Sequence, residues 1–245
     1  MISPFSLEQH TWEPHWTILS SNAKYSNIRQ IESEREEKIL QAVAAIGLIG
    51  RAQLSRIFFP DINKRYVQQK LKTMVRTYKL IRHEISKNNN SIPIYSLGPA
   101  TAEALGIEYD VNYWLKYETK DVLKRVVFFQ LYSSLLNQFD VQIYPAPLPY
   151  TGTLLMNNKM YFVYVARGNV NDILNTFKWN EQKERVIIIT ESLNYIQPLN
   201  AFANEIRIRV VLDNDLKEPF DKMFYKWENG DWEKTNQVLN TKIGS

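Results

Sequence analysis

The 245-residue chain has no cysteine, and this absence excludes disulfide bonds and thiolate metal sites. Its three histidines, His10, His15 and His83, are too few and too scattered to suggest a histidine-based metal centre. A Ser-His or Cys-His nucleophile is equally disfavoured. His83 is predicted to be a partly exposed strand residue rather than a catalyst. We therefore expect no metal and no other cofactor, and a chain free of cysteine fits a reducing cytoplasm.

Other signals are absent too. The N-terminus lacks a basic segment followed by an apolar run, so no signal peptide is predicted. No apolar stretch approaches the roughly 20 residues of a membrane span, so no membrane association is expected. With only 8 glycines, the chain has no glycine-rich phosphate loop of either common pattern, which argues against ATP-driven activity.

The basic residues are concentrated in one segment. Residues 51–87 hold ten Lys and Arg against Asp61 and Glu84, a local charge of +8, although the whole chain carries only +4. Such a block creates a field that attracts polyanions.

The centre of this block is KRYVQQKLKTMVR, residues 64–76. At about 100° per residue, Val67, Leu71, Met74 and Tyr78 fall on one side of a helix predicted over 63–78. The opposite side carries Arg65, Gln69, Lys72 and Arg76. Arginine can contact guanine with both ends of its guanidinium, glutamine can pair with adenine, and lysine can meet guanine or phosphate. Taken alone, this face fits an ordinary solvated surface as well as a DNA contact surface.

The neighbouring pattern favours DNA. Helices are predicted over 33–47, 50–60 and 63–78, followed by strands at 80–85 and 94–97 with a turn-rich stretch of asparagines between them. Three helices and a β-hairpin in about 70 residues are typical of a winged helix, whose third helix enters the major groove. A winged helix that binds a protein instead remains the alternative.

The stretches LIGRAQLSRIFFP, RYVQQKLKTMVRTYKLI and IYSLGPATAEALG, within residues 30–110, resemble the N-terminal part of the replication-relaxation family. These are winged-helix proteins of plasmids, integrative elements and phages of Gram-positive bacteria. The resemblance implies a role in replication or maintenance of a mobile element. It also implies a second half similar to a degenerate restriction-endonuclease-like domain.

The second half fits a small α/β domain. A long helix is predicted over 120–139, a hairpin with an Asn-Asn turn over 152–168, and buried strands over 184–190 and 206–214. A nuclease of the implied fold needs carboxylates on that hairpin to hold Mg²⁺, but Tyr150 and Thr151 stand where the first acid belongs. If the fold is nuclease-like, the domain is predicted to be catalytically inactive; another α/β fold is the alternative.

We therefore predict an α+β protein with an N-terminal extension (1–29), a winged-helix domain (30–110) and an α/β domain with a polar tail (111–245). The chain is predicted to be a non-catalytic, cytoplasmic protein that binds double-stranded DNA in association with nucleoid or plasmid. The candidate DNA contacts are Arg51, Arg65, Gln68, Gln69, Lys72, Thr73, Arg76, Lys79 and Lys87. Arg51, Lys79 and Lys87 are predicted to meet phosphates, and the groove contacts are predicted to be Arg65, Gln69, Lys72 and Arg76.

One winged helix makes few contacts, so a homodimer is expected. The α/β domain is a candidate for the dimer contact or for a protein partner. Three alternative functions remain at this point: a transcriptional regulator on a promoter operator, a metal-dependent nuclease, and a protein-interaction module.

Overall fold

A computed structural model describes residues 3–20, 31–88, 90–179 and 185–235. The chain divides into two compact units, His10–Phe129 and Met1–Gln9 together with Gln130–Ser245. These divisions differ from the predicted ones at 29/30 and 110/111. Asn89 of the predicted hairpin tip, part of the N-terminal extension and the last ten residues of the predicted tail lie outside the described residues.

The unit His10–Phe129 combines a small sheet with short helices. Its elements in chain order are β1 (Trp12–His15), α1 (Glu34–Ile46), β2 (Leu48–Gly50), α2 (Arg51–Phe58), α3 (Lys64–Arg76), β3 (Leu80–Lys87), β4 (Asn90–Leu97) and α4 (Pro99–Leu105). The helix α5 (Thr119–Leu135) begins in this unit, and the division between the units falls within it. The predicted helices and the two predicted strands are confirmed to within a few residues.

Helix α1 shows why these boundaries were predictable. The Ser33 hydroxyl accepts a hydrogen bond from the backbone N–H of Glu36 (3.2 Å), which satisfies one of the free donors at the helix start. Glutamates occupy the first turn, where the helix dipole favours them. Gly47 ends the helix with a φ of 92°, a left-handed conformation that glycine adopts readily.

The sheet of this unit has the strand order β1-β3-β4-β2, and all its pairs are antiparallel. Strands β3 and β4 form the predicted hairpin, but β1 and β2 were not predicted. Strand β1 covers the outer edge of β3, with Trp12 beside Lys87 and His15 beside Glu84. Strand β2 lies between α1 and α2 in the chain and pairs with β4.

The second unit contains a larger mixed sheet. Its strands are β5 (Val141–Tyr144), β6 (Gly152–Met156), β7 (Lys159–Val165), β8 (Arg185–Thr190), β9 (Arg207–Leu212), β10 (Phe224–Glu228) and β11 (Asp231–Lys234). They lie in the order β11-β10-β9-β8-β7-β6-β5. Strands β7, β8 and β9 are parallel, and the other pairs are antiparallel. The predicted mixture of helices and strands is confirmed.

One face of this sheet is covered by helical segments. Helix α6 (Asn171–Trp179) and a 3₁₀ helix over Leu193–Phe202 contribute buried side chains to a core with strands β7, β8 and β9. The short helix α7 (Phe220–Met223) precedes β10. The predicted Asn-Asn turn is confirmed, since Asn157 and Asn158 have φ values of 51° and 58° between β6 and β7.

The region predicted as a polar tail differs from expectation. Strands β10 and β11 form a hairpin whose turn is Asn229-Gly230, with φ values of 53° and 86°. Asn-Gly is a strong hairpin signal, so the sequence contained the information. None of the described helices has the length and apolar character needed to cross a membrane.

Candidate nucleic-acid interface

Helix α3 forms the centre of the candidate interface. Asn63 precedes the helix, and its Oδ1 accepts a hydrogen bond from the backbone N–H of Arg65 (2.8 Å). Val67, Leu71 and Met74 are buried, as their helical spacing predicts. This anchoring fixes which side of α3 faces solvent. Tyr78 is 41 % exposed, contrary to the prediction, because the helix ends at Arg76 and Tyr78 has a φ of 54°.

The outer side of α3 is polar and basic. Arg65, Gln68, Gln69, Lys72 and Arg76 are exposed, as predicted. Thr73 is less exposed than these residues, since its side chain is half-buried. Its backbone carbonyl accepts a hydrogen bond from the Thr77 hydroxyl (2.9 Å). The helix contains no acidic residue, so its exposed face presents donors to a ligand and carries positive charge.

Two lysines of the basic block turn toward α1 instead. Lys79 is 3 % exposed and pairs with the carboxylate of Glu36, which is 1 % exposed. The Lys70 ammonium lies 2.6 Å from the other carboxylate oxygen of Glu36 and 2.9 Å from Glu32. The prediction that Lys79 contacts phosphate is therefore wrong, because its ammonium is buried and neutralised by a carboxylate.

Six other cations of the block have no ion-pair partner among the described residues. Within the part of the chain that the structure describes, no ion pair is formed by Arg51, Arg56, Lys64, Arg65, Lys72 or Arg76. Four of these six belong to α3. The acidic first turn of α1 thus compensates the lysines nearest to it and leaves the charge on the outer side of α3 unopposed.

A second basic group surrounds Tyr95 on β4. Burial raises the pKa of the Tyr95 hydroxyl, while the nearby charges of Arg51 and Arg82 act in the opposite direction. Arg51 is half-buried at the start of α2. Arg82 is exposed on β3 and pairs with Glu84. Sequence reasoning missed Arg82 as a candidate, although its position within the basic block was the available signal.

The β3–β4 hairpin carries the last predicted contact. Lys87 is half-buried, and its ammonium lies 5.1 Å from the centre of the Trp12 ring. The ring face attracts the cation and holds it near the end of β3. Asn88 adopts a φ of 47° at the hairpin tip. Lys87 therefore lies near the tip as predicted, but β1 restrains it.

His83 differs from its predicted position as a partly exposed strand residue, since it is 1 % exposed. Its Nδ1 accepts a hydrogen bond from the backbone N–H of Thr17 (3.1 Å), and its Nε2 lies 2.8 Å from the Ser96 hydroxyl. The rings of Trp16 and Trp114 pack against it at 5.0 and 4.7 Å between ring centres. Burial lowers its pKa to about 3, so it is neutral and structural.

The structure also locates the hairpin on which nuclease carboxylates were sought. Strands β6 and β7 contain no Asp or Glu. Among the described residues, no group of three His, Cys, Asp or Glu side chains is arranged to hold a metal ion.

Comparison with known proteins adds no relative. No family model, no curated protein and no solved structure matches the chain. The resemblance to the replication-relaxation family therefore stays a prediction.

Proposed function

We propose that the chain binds double-stranded DNA through a winged helix-turn-helix built from α1, α2, α3 and the β3–β4 hairpin. The element order α1-β2-α2-α3-β3-β4 and the pairing of β2 with β4 support this reading. In it, α2 and α3 are the helix-turn-helix, α3 enters the major groove, and the hairpin is the wing.

One observation carries the proposal. The carboxylate of Glu36 pairs with Lys70 and Lys79, whereas Arg65, Lys72 and Arg76 on the outer side of α3 have no ionic partner among the described residues. An exposed helix face with unopposed positive charge and two glutamines suits a groove edged by phosphates.

The side chains suggest separate roles. Arg65 and Arg76 suit guanine, Gln69 suits adenine, and Lys72 suits guanine or phosphate. Gln68 and Thr73 lie beside them on α3. Arg51 and Lys87 are the proposed phosphate contacts, and Arg82 joins them because it lies beside Tyr95 together with Arg51.

We propose that this binding serves replication, maintenance or regulation of a plasmid or other mobile element, by a cytoplasmic, non-catalytic protein. A homodimer on a repeated site would supply the contacts that one winged helix lacks. Control of transcription is the other role open to such a protein. The position of the bound site, in an origin or over a promoter, distinguishes the two.

The test is a fluorescence-anisotropy titration of labelled duplex fragments from the host element at several salt concentrations. Lys72→Ala/Arg76→Ala is compared with wild type and with Lys38→Ala/Lys116→Ala, which removes the same charge from exposed positions outside α3. We expect wild type to prefer one fragment, with log affinity falling linearly with log salt. The α3 variant should lose about 1–3 kcal/mol per base contact and the preference with it.

The control variant should keep both the fragment preference and the salt slope of wild type. If wild type binds no fragment above background at moderate salt, the α3 face is a solvated or protein-binding surface and the proposal fails. Equal losses in the two variants would show that net charge, rather than the α3 face, governs binding.

A further inference from the structure

A second feature of the molecule lies in the unit with the larger sheet. A pocket of about 430 Å³ lies at the start of β8 and β9 and beside β10. Its volume falls in the range of small-molecule sites, roughly 300–1,000 Å³. All its lining residues lie between Met156 and Thr235, within one compact unit, and none of them belongs to α3.

The pocket is lined by four cations, Arg185, Arg207, Arg209 and Lys226. Arg185 and Arg207 are direct neighbours in the parallel pair β8–β9. Arg209 lies two residues further along β9, so its side chain leaves the same face of the sheet as that of Arg207. Like charges on neighbouring strands repel each other, and this arrangement costs stability unless an anion compensates it.

The described side chains supply little compensation. Arg185, Arg207 and Arg209 form no ion pair within the described ranges. Glu228 pairs with Lys226 and also lies near enough to interact with the charge of Arg209. Arg209 is half-buried and donates one hydrogen bond to the carbonyl of Ile208 (3.1 Å). Among the described residues, the carboxylate of Glu228 interacts with two of the four cations, Lys226 and Arg209, so Arg185 and Arg207 have no described counter-charge.

Aromatic side chains also line the pocket. Tyr161, Phe220 and Phe224 all border the pocket. The rings of Phe220 and Phe224 pack edge to face, with 5.1 Å between ring centres, and are therefore held in position. Arginines beside aromatic rings are the combination that binds the phosphate and the base of a nucleotide.

We propose that this pocket binds a nucleotide, with its phosphate on Arg185, Arg207 and Arg209 and its base against the aromatic side chains. The shared chemistry is a phosphate linked to an aromatic base. Such a group comes either from a free nucleotide or from one residue of a single strand of nucleic acid. This site is separate from the duplex-binding face of α3.

The test measures binding of two probes to the full chain carrying Lys72→Ala/Arg76→Ala, which serves as the parent protein. These two substitutions reduce any binding of the probes to α3. One probe is a fluorescently labelled ADP, and the other is a labelled single strand of eight thymidines. The pocket variant is Arg185→Gln/Arg207→Gln. Its control is Lys178→Gln/Lys217→Gln, which removes the same charge from exposed positions of the same unit that do not line the pocket.

We expect at least one probe to bind the parent and to lose affinity more than about tenfold in the pocket variant only, because charge-assisted contacts to phosphate are lost. The probe that binds identifies the source of the nucleotide. Unlabelled ADP or oligonucleotide should compete more strongly than pyrophosphate, since stacking of the base adds to affinity.

Folding is checked separately. Because the pocket variant removes two neighbouring like charges, its melting temperature should not fall below that of the parent. Arg185→Lys/Arg207→Lys, which keeps the charge, should retain most of the binding. The proposal is overturned if neither probe binds the parent, if the control loses as much affinity as the pocket variant, or if pyrophosphate competes as well as ADP.

Discussion

Glu36 determines which lysines of the basic block are available to a ligand. Its buried carboxylate lies between the ammonium groups of Lys70 and Lys79. A charge removed from water needs a partner, because desolvation costs several kcal/mol for each ion. Glu36 supplies that partner for Lys79, whereas Lys72 stays hydrated on the outer side of α3.

Glu36→Gln should therefore destabilise the fold strongly. The substitution leaves the buried ammonium of Lys79 with only the more distant carboxylate of Glu32, 3.8 Å away. Breaking a buried pair costs about 3–5 kcal/mol, so the loss should approach that range. Urea unfolding at pH 7 measures the loss. Glu34→Gln on the same helix breaks only the exposed pair with Lys38 and should leave the unfolding midpoint unchanged. Equal midpoints for the two variants would contradict the structural role given to Glu36.

His83 makes stability depend on pH. Burial lowers its pKa from 6.5 to about 3 in the folded chain, while the unfolded chain keeps the ordinary value. Below pH 6.5 the His83 imidazole therefore binds a proton in the unfolded state but stays neutral in the folded state. The free energy of unfolding should fall as pH drops, by about 1.4 kcal/mol for each unit down to roughly pH 3.

His83→Gln should remove this dependence, because glutamine does not titrate and still offers a donor and an acceptor. Wild type should lose about 2 kcal/mol more than the variant between pH 7 and pH 5, measured by urea unfolding at both values. His15→Gln, at an exposed position of β1, serves as the control and should behave as wild type. A wild-type slope in His83→Gln would mean that other groups cause the dependence.

At the scale of elements, Gly98 joins β4 to α4 against the end of α3. A Cβ at this position would lie 2.0 Å from the backbone carbonyl oxygen of Tyr78. The Gly98 N–H donates to the carbonyl of Lys79 (3.0 Å), and the Ala100 N–H donates to that of Tyr78 (3.2 Å). Gly98, the first glycine of IYSLGPATAEALG, is therefore required by the close approach of two backbone segments.

Gly98→Ala should cost on the order of 1–3 kcal/mol, because backbone atoms on both sides must shift. The thermal unfolding midpoint of the full chain reports the change. Gly106→Ala is the matched comparison at the other end of α4, where a Cβ meets nothing within 4 Å but the φ of 63° disfavours alanine. It should cost about 1 kcal/mol or less. A smaller effect at Gly98 than at Gly106 would contradict the packing argument.

The sequence predicted elements best where periodicity or capping was strong. Residues 64–76 have three buried positions at helical spacing, and 186–189 is a continuous apolar run, so both elements were identified. Strand β2 has only three residues and β1 has four, too few for a periodic signal. Hydrogen bonds to β4 stabilise β2, and hydrogen bonds to β3 stabilise β1. Because these partner strands are not adjacent in the chain, the local sequence does not indicate the pairing.

At the scale of the whole molecule, the chain carries two separate basic sites. The first, on α3, is visible in the sequence because its cations are close together along the chain. The second is formed by Arg185, Arg207, Arg209 and Lys226, which come from three strands. The two proposed activities reside in different compact units, so the α3 variant and the pocket variant should affect binding independently.

The division into units also depends on long-range contacts. The segment Met1–Gln9 belongs with Gln130–Ser245 although the whole other unit intervenes in the chain. The Ser3 hydroxyl donates to the carboxylate of Asp213, which in turn accepts two hydrogen bonds from Arg167 (2.9 and 2.7 Å). A domain boundary predicted from composition cannot take such a contact into account, because the contact joins residues far apart in the chain.

The helices, the main hairpin, the buried strands and the concentration of charge in residues 51–87 could all be predicted from the sequence. These depend on residue type and on spacing along one element, which are local properties. Which charges a ligand can reach depends instead on the packing of distant segments. Lys79 is buried against Glu36, Lys72 and Arg76 stay exposed, and Arg185 of β8 lies beside Arg207 of β9. Burial and ion pairing depend on residues far apart in the chain, so neither can be read from local pattern.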